Sequence, residues 1–335
     1  MSKIKLLALC PIPNDVCSWY RGLGPLLALE KEWSDLEVVI GGPNVDDYDW
    51  PQLKKADILF VQRPCSLNHY NAISRAKDHN IPVWIDHDDD LTAVPTYNQG
   101  WANYANAQVL GAHSACIHAA DAVTVTTIAL ATKMQKQNAN VRLILNAIDD
   151  TEYKRKELLP FEKRSKIISW RGPESHVADI VACAESVLDF SEKFPDYNFH
   201  FMGWNAWPIT DRLKEGRANV FKFRGMKAYM KLFQTFQAPI LIVPLVDNEF
   251  NRSKSNIAWM EATLAGSVVV APFLPEWDRP GIIQAHPEEF GDALERAVTS
   301  DLQGRLDESW DFIQTFLTLK RINQARKDLI LALKR

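Results

Sequence analysis

The chain has 335 residues, of which 47% are apolar and 24% are charged; this length exceeds one ordinary core and predicts two α/β domains of roughly 150 residues each. The formal net charge of −4 gives no overall electrostatic reason to expect nucleic acid or an anionic membrane as a partner. The five cysteines include no CxxC pair, and no apolar run approaches the roughly 20 residues of a membrane-spanning helix; we therefore expect a soluble, cytoplasmic protein without disulfides or a membrane span.

Short apolar runs alternate with helical patterns along the chain, which is typical of βα units and parallel sheets. The strands predicted in the first half are Ile4–Cys10, Glu37–Ile40, Asp57–Gln62, Pro82–Ile85, Ala122–Thr126 and Val141–Leu145. Those predicted in the second half are Lys166–Trp170, Asn198–Met202, Val220–Phe223, Ile240–Pro244 and Ser267–Ala271. The pattern predicts two Rossmann-like, doubly wound domains, residues 1–150 and 167–306, which face each other across a ligand-binding cleft. Residues 151–166 are the expected linker, and the helical stretch 307–335 is expected to cross back to the N-terminal domain.

The first candidate site follows the first strand, in the segment Cys17-Ser-Trp-Tyr-Arg21-Gly22-Leu-Gly24-Pro25. Glycines such as Gly22 and Gly24 permit close approach of the backbone to a phosphate, and Arg21 can offer charge to a leaving diphosphate. A purely structural βα turn is the alternative.

A second candidate is the acidic run Asp86-His87-Asp88-Asp89-Asp90, which we predict as a turn at the end of a buried strand. Clustered carboxylates are costly unless solvated or paired, which favours a functional role. Three interpretations compete: an Asp-x-Asp pair that binds Mg²⁺ or Mn²⁺, contacts to an acceptor and a donor sugar, or a helix cap. We favour the acceptor and sugar contacts over the metal.

The strongest candidate lies in the polar segment that starts at Asn248 and the helix predicted from Ser253 to Leu264. Free N–H groups at such a helix start bind phosphate. Ser253 and Ser255 are good capping residues, and Lys254 adds a positive charge. Glu261, two turns further on, can accept hydrogen bonds from ribose hydroxyls. A capped helix with an exposed glutamate is the structural alternative.

A family resemblance rests on the segment Met260-Glu261-Ala-Thr-Leu-Ala-Gly266-Ser-Val-Val-Val-Ala271. It resembles the "E-A-x-A-x-G-x-P-V-V-A" signature of the retaining GT-B glycosyltransferases of family GT4. The resemblance implies a GT-B fold and a nucleotide-sugar donor whose ribose is held by Glu261. The family's earlier Glu is Ser253 here, so the donor-sugar contact falls to Glu249, to Asn251 or to backbone N–H groups near Lys254.

Other segments extend this resemblance. Ser169-Trp-Arg171-Gly172-Pro-Glu-Ser-His176 resembles the loop in which an Arg and a nearby Lys neutralise the diphosphate. Arg171 fits that role, because a guanidinium binds phosphate bidentately. The Lys is missing, and Lys254 is our first replacement and His176 our second. The segment that ends at Arg224-Gly225-Met226 resembles the turn whose backbone reads the nucleobase.

The N-terminal candidates also take part in this resemblance. The loop containing Gly22 and Gly24 resembles the family's glycine-containing loop near the donor phosphate. The acidic run resembles the "D-x-D-D-x-L" strand end of a bacterial and phage-encoded subgroup, with His87 near a histidine that meets the donor sugar.

Two basic segments bear on the partner. They comprise Lys154, Arg155, Lys156, Lys163, Arg164 and Lys166, and then Arg212, Lys214, Arg217, Lys222, Arg224, Lys227 and Lys231. Solvated faces are the usual explanation, and DNA bound through its phosphates is the sharper one.

The resemblance implies a retaining transferase that needs no metal ion. Its acceptor hydroxyl would belong to a glycan, a small molecule or a hydroxymethylated base of phage DNA. A nucleotide-sugar epimerase and a non-catalytic sugar-nucleotide binder are the alternatives.

Overall fold

The computed structural model of the chain describes residues 3–10, 15–41, 50–149, 151–152, 157–222 and 224–335. These residues form two parallel six-stranded sheets, one in each half of the chain, with helices packed against both. The predicted α/β class and the pair of Rossmann-like sheets are therefore confirmed.

The first sheet belongs to the N-terminal domain and consists of short apolar strands. They are β1 (Ile4–Leu9), β2 (Leu36–Ile40), β3 (Ile58–Gln62), β4 (Val83–His87), β5 (Ala122–Val125) and β6 (Val141–Leu143). Their spatial order is β2-β1-β3-β4-β5-β6, with every neighbouring pair parallel. The central strands β3, β4 and β5 are buried on both faces, which explains why they are largely apolar rather than alternating, whereas the edge strands β2 and β6 are partly exposed.

Helices provide the crossovers that parallel strands require. In this half they are α1 (Val16–Arg21), α2 (Leu23–Glu32), α3 (Trp50–Leu53), α4 (Leu67–Asp78), α5 (Trp101–Tyr104), α6 (Ala107–Ala119) and α7 (Ile128–Met134). Asp15, Ser66, Asn106 and Thr127 each start the following helix, since their side chains accept a hydrogen bond from a free backbone N–H of its first turn.

The second sheet has a strand order that reverses near its middle. Its strands are β7 (Ile167–Gly172), β8 (Asn198–Gly203), β9 (Ala218–Lys222), β10 (Ile240–Ile242), β11 (Val268–Ala271) and β12 (Ile283–Gln284). The order is β12-β11-β10-β7-β8-β9. The chain leaves β7 toward one edge and β10 toward the other, which opens a crevice at the carboxyl ends of these two strands where ligands bind in such sheets.

The helices of this half include the longest ones in the described residues. They are α8 (Val177–Lys193), α9 (Trp207–Thr210), α10 (Met226–Phe236), α11 (Glu249–Arg252), α12 (Ile257–Ala265), α13 (Phe290–Val298), α14 (Leu302–Phe316) and α15 (Leu319–Lys334). The single helix predicted near the C-terminus is therefore two helices, α14 and α15, separated at Leu317 and Thr318.

The core consists of two apolar clusters in each domain. One cluster of the C-terminal domain also includes Tyr20 and Ile148 from the N-terminal half, so apolar packing continues across the domain boundary. Trp259 of α12 is completely buried, and its Nε1 donates a hydrogen bond to Ser309 Oγ of α14 at 3.1 Å.

The end of the chain returns to the N-terminal domain. Helix α15 packs against α2, and Asn323 Nδ2 donates to the Pro25 carbonyl at 2.9 Å. At the crossing, Ile148 N donates to the Leu317 carbonyl at 2.9 Å, and Leu319 N donates to the Ile148 carbonyl at 2.7 Å. The two chain segments that pass between the domains therefore run side by side.

Among the described residues, every helix falls short of the length and apolar character needed to traverse a bilayer.

Candidate functional site at the domain interface

A cavity of about 430 Å³ lies between the two domains. It meets the carboxyl ends of β7 and β10, where the reversal of strand order predicts a ligand. Its volume lies within the range typical of small-molecule sites. The polar side chains around it are Tyr20, Arg21, Arg63, Asp88, Asp89, Asn98, Tyr104, Asn146, Arg171, Ser175, His176, Asp179, Lys254 and Ser255. We call this space the cleft cavity.

Glu261 is the centre of a buried polar cluster beside the cleft cavity. Only 1% of its surface is exposed. Its Oε1 accepts a hydrogen bond from the Tyr20 hydroxyl at 2.9 Å, and its Oε2 accepts one from the Tyr229 hydroxyl at 3.1 Å. Arg171 Nη2 lies 2.8 Å from Oε2. Since a carboxylate has about four acceptor positions, one position remains for a ligand hydroxyl.

The tyrosines and the arginine around Glu261 remain in the protonated forms that donate to it. Burial and the Glu261 carboxylate raise the pKa of Tyr20 and of Tyr229 well above the ordinary value, so both phenols stay protonated and donate. Burial opposes the charge of Arg171, but Glu261 beside it raises the pKa of this guanidinium overall. Arg171 Nε is buried and has no hydrogen-bond partner in the described part of the chain.

A smaller, mostly apolar cavity of about 50 Å³ adjoins Glu261 on the side of the C-terminal domain. Gly172, Met202, Gly203, Arg224 and Tyr229 contribute to its wall. A Cβ atom at Gly172 would lie 2.7 Å from the ring of Trp170, so only glycine fits at this end of β7.

His176 and Asp179 form a pair on the C-terminal wall of the cleft cavity. His176 Nδ1 lies 2.7 Å from Asp179 Oδ2. The other oxygen of Asp179 accepts hydrogen bonds from the Val246 backbone N–H at 2.8 Å and from Asn251 Nδ2 at 2.9 Å. Burial lowers the pKa of His176, and the positive charges of Lys254 and Arg171 lower it further against the effect of Asp179.

Lys254 projects from the same wall toward the N-terminal domain. Its Nζ lies 3.6 Å from Asp89 Oδ1 and 4.4 Å from the centre of the Phe250 ring. Arg171, His176 and Lys254 thus surround one part of the cleft cavity with groups that are cationic or can become so. Such a set matches the charge of a diphosphate.

On the opposite wall, Arg63 lies between two carboxylates. Its Nε contacts Asp88, and its Nη2 donates to Asp89 Oδ2 at 2.8 Å. Burial raises the pKa of Asp88 despite the neighbouring Arg63. For Asp89 burial acts in the same direction, but Lys254 and Arg63 hold its pKa below the ordinary value.

The structure corrects the prediction that Asp86 and His87 belong to a turn facing the cleft. Strand β4 continues through both residues, and they are buried to 1% and 0% exposure. Asp86 forms a bidentate ion pair with Arg21, with Nε and Nη2 at 3.0 and 2.6 Å. The ion pair is interior because backbone pairing with β5 extends as far as His87 and Val125.

Arg21 borders the cleft cavity, but its guanidinium is committed to Asp86 and to the Ile144 carbonyl. It therefore does not extend toward a leaving diphosphate as we expected. Neither ring nitrogen of His87 has a hydrogen-bond partner in the described residues, and its ring packs edge-on against His113 at 4.6 Å. Burial lowers the pKa of His87 well below the ordinary value, so it is neutral.

The helix predicted to start at Ser253 starts instead at Ile257, after the short helix α11. The Asn248 side chain caps α11, which forms a single helical turn that ends before Ser253. Neither Ser253 nor Ser255 caps α12. Ser255 still lines the cleft cavity, where its Oγ accepts a hydrogen bond from Asn146 Nδ2 at 2.8 Å.

Three residues predicted to contact the nucleotide-sugar donor lie outside the cleft cavity. Glu249 is mostly exposed and pairs with Lys133 at 2.7 Å. Asn251 is buried and supports Asp179, and Ser253 is buried with its hydroxyl donating to the Glu249 carbonyl. None of the three lies in the wall of the cleft cavity.

The predicted glycine loop and nucleobase turn also have a structural explanation. A Cβ at Gly22 would lie 2.4 Å from the Gln62 side chain, and one at Gly24 would lie 2.0 Å from the Trp19 carbonyl oxygen. Gly22 therefore allows the turn between α1 and α2 to pack closely against the end of β3, and Gly24 allows α2 to pack closely against α1. Met226 is buried at the start of α10.

Each basic segment has an arginine that is buried in the fold. Arg217 is buried and donates to the carbonyl groups of Ser191, Phe194 and Tyr197. Arg164 is buried and donates to the Gly266 carbonyl. Residues 154–156 lie outside the described residues.

Two cations of the second basic segment are partly neutralised, because Arg212 pairs with Glu185 and Lys227 pairs with Glu152 at 2.7 Å.

Among the described residues, no group of three or more His, Cys, Asp or Glu is arranged to hold a metal ion.

Several site residues escaped the sequence analysis. Arg63 directly follows β3. Its position could have been recognised from the sequence, because polar residues at the carboxyl ends of parallel strands often belong to ligand sites. Tyr20 stands next to Arg21 in a segment we had singled out. Tyr229 and Asp179 lie within ordinary helical patterns, which carry no such signal.

No family model matches the sequence, and no curated protein matches it either. Solved structures do. Sucrose-phosphate synthase from Thermosynechococcus elongatus superposes with a TM-score of 0.67 at 12% identity, over 99% of both chains. An alpha-glucosyltransferase in complex with UDP and a 13-mer DNA containing an HMU base superposes with a TM-score of 0.68 at 11% identity, over 99% of this chain and 100% of the other.

A putative UDP-N-acetylglucosamine 2-epimerase from Listeria monocytogenes is less similar. Its TM-score is 0.58 at 12% identity, over 92% of this chain and 91% of the other. At such identities the likeness concerns the arrangement of the backbone. The chain has the two-domain GT-B fold found in these glycosyltransferases.

Proposed function

We propose that this protein is a glycosyltransferase that moves a sugar from a nucleoside diphosphate to an acceptor hydroxyl. The observation that carries the proposal is the cleft cavity, where Arg171, His176 and Lys254 surround one region beside the buried Glu261. This arrangement provides a cationic site for a diphosphate next to a carboxylate for a ribose hydroxyl. The similar alpha-glucosyltransferase bound to UDP supports this proposal.

The chemistry follows from the charges. The acceptor oxygen forms a bond to the anomeric carbon while the bond from that carbon to the diphosphate oxygen breaks. Negative charge then develops on the leaving diphosphate, and Arg171 and Lys254 stabilise it. The proton of the acceptor hydroxyl passes to an oxygen of the departing phosphate, which requires attack from the same face and therefore retention.

A panel of UDP- and GDP-sugars tests donor binding, first by thermal shift and then by titration calorimetry. We expect Arg171→Ala to weaken binding of the best donor at least tenfold, because the guanidinium contacts the diphosphate. Arg212→Ala removes an exposed arginine of the same type and should leave affinity unchanged. Binding of no nucleotide sugar at all, or equal affinity in the two variants, would contradict the proposal.

Catalysis without a metal ion is part of the proposal, because protein cations already surround the expected diphosphate. Activity should survive treatment with EDTA. Loss of turnover in EDTA and its recovery with Mn²⁺ or Mg²⁺ would assign a metal to Asp88 and Asp89 instead. The anomeric configuration of the product, followed by NMR, tests retention.

An epimerase is the second candidate, favoured by the structural likeness to the putative 2-epimerase. Incubation of the donor without an acceptor separates the two functions. Conversion of the free nucleotide sugar to its epimer would support the epimerase and exclude the transferase.

A further inference from the structure

The two walls of the cleft cavity differ in charge. The C-terminal wall contributes Arg171, His176 and Lys254. On the N-terminal wall the lining cations are Arg21 and Arg63, and each is already bound to carboxylates of its own domain. On the C-terminal wall Arg171 also has a carboxylate partner, Glu261, but Lys254 contacts no carboxylate of its own domain among the described residues and faces Asp89 across the cleft.

Arg63 illustrates this neutralisation. It contacts Asp88 and Asp89 together, so these three side chains of the N-terminal domain carry a net negative charge when both carboxylates are ionised, and the cation that faces them is Lys254 of the opposite wall, 3.6 Å from Asp89. The backbone of Arg63 has a φ of 49°, a left-handed conformation that is unusual for a residue other than glycine. The fold holds this residue in an unfavourable conformation at the cavity wall, as is common at binding sites.

The sequence that forms much of this wall contains few basic residues. Between Lys77 and Lys133 there is no lysine or arginine, although this stretch contains β4, α5, α6 and the segment 91–106. At its end, Lys133 is itself paired with Asp90 and Glu249.

The segment 91–106 adds hydroxyl, amide and aromatic groups to the same wall. Asn98 and Tyr104 line the cleft cavity. The Tyr97 hydroxyl accepts a hydrogen bond from Asn248 Nδ2 of the C-terminal domain at 3.0 Å, so the segment reaches across the cleft.

We propose that the acceptor is an uncharged carbohydrate that binds along the N-terminal wall. This inference rests on the proposed transferase function. Carboxylates and amides accept and donate hydrogen bonds to sugar hydroxyls, and aromatic rings pack against the apolar faces of sugar rings. The acceptor hydroxyl oxygen bonds to the anomeric carbon as the diphosphate leaves, and its proton goes to the leaving phosphate.

The same wall disfavours acceptors that carry phosphate. A sugar phosphate or a DNA strand would bring negative charge toward Asp88 and Asp89, and the described residues of that wall include no unpaired cation to offset it, since Arg63 is already shared between the two carboxylates. DNA binding depends on many phosphate contacts. In the second basic segment, Lys222 and Arg224 border the small cavity beside Glu261, on the C-terminal domain rather than on the N-terminal wall.

The test measures nucleotide release by the full chain, with the best donor of the panel, over the rate without acceptor. The acceptors are maltose, cellobiose, lactose and N-acetylglucosamine, then glucose 6-phosphate and fructose 6-phosphate, and a DNA duplex containing 5-hydroxymethyluracil. We expect stimulation by at least one neutral sugar and none by the phosphates or DNA. Stimulation by DNA or a sugar phosphate alone, or by no acceptor although the donor binds, overturns the proposal. Failure of every donor to bind refutes the transferase function itself and is seen in the separate binding assay.

Two variants locate the acceptor. Asp88→Asn keeps the size of the side chain and an oxygen for Arg63, and we expect it to raise the acceptor KM at least fivefold with the donor KM unchanged. Asp121→Asn makes the same exchange at the amino ends of the strands, just before β5, and should change neither constant. Equal acceptor KM values in both variants would place the acceptor elsewhere.

Discussion

Donor binding should take up a proton at His176. In the free protein, burial together with Lys254 and Arg171 lowers the pKa of this imidazole below the ordinary value of 6.5. Its Nδ1 faces Asp179 at 2.7 Å, which leaves Nε2 for the cleft cavity. A diphosphate bound between Arg171 and Lys254 would reverse the local charge and favour the imidazolium form.

The size of the effect follows from the geometry. A unit negative charge about 5 Å from the ring, at an effective dielectric constant of about 20, favours the charged form by roughly 3 kcal/mol. Partial exposure of the ring reduces this to about half. One pH unit corresponds to about 1.4 kcal/mol, so the effect is large enough to change affinity measurably.

The sign is fixed because binding raises the pKa of His176. The added affinity is complete below the pKa of the free protein and is lost as the pH rises through the pKa of the complex. Affinity should therefore fall with increasing pH, by at most about tenfold per unit, in a window that begins below pH 6.5. A nucleotide sugar is the proper ligand here, since its diphosphate diester does not itself titrate in this range.

Titration calorimetry in buffers of different ionisation enthalpy measures the protons taken up. We expect a fraction of one proton for the wild type near pH 7, and none for His176→Gln or His176→Lys. His176→Lys should also bind with an affinity independent of pH, because its charge is permanent. His118→Gln, an exchange at an exposed site on α6, should behave as wild type. The reasoning fails if the wild type takes up no proton or if His176→Gln still does.

Three further predictions concern stability. Glu261→Ala leaves the buried Arg171 without its partner and should lower the free energy of unfolding by about 3 kcal/mol. This value is at the low end of such losses because Arg171 reaches the cavity. Urea unfolding measures the loss, and a value below about 1 kcal/mol would contradict the pairing. Tyr20→Phe and Tyr229→Phe each remove one hydrogen bond to Glu261 and should cost about 1.5–3 kcal/mol, but only Tyr20→Phe, which breaks a bond between domains, should increase hydrogen exchange along the domain boundary. Arg217→Met should lower stability by about 3 kcal/mol, since it leaves buried carbonyl groups without donors, while retention on a DNA column should not change; weaker retention with unchanged stability would restore the DNA-binding explanation.

The sheets could be predicted because their signal is local. Each predicted strand lies within two residues of an observed one, since continuous apolar runs separated by helical patterns have few alternatives in a protein of this size. The two-residue strand Ile283–Gln284 is too short to leave such a pattern. The break between α14 and α15 was also missed, since apolar spacing continues across it.

The site was harder to predict because its contacts are not local. Glu261 was identified from its segment, yet its partners Tyr20 and Tyr229 lie far from it in the sequence. The acidic run was recognised as unusual, but its composition does not show where β4 ends. Backbone pairing decides that Asp86 is interior and that Asp88 faces the cleft cavity.

The paired crossings near Ile148 and Thr318 have a mechanical consequence. A single connecting segment between two domains allows the domains to rotate about any axis. Here two crossings are bonded to each other through the backbone of Ile148 on both sides, so twisting would break those bonds whereas bending would not. We therefore expect a hinge motion of the domains about an axis through these two crossings. The motion would open the cleft at the side where Tyr97 and Asn248 meet, and the acceptor would enter there.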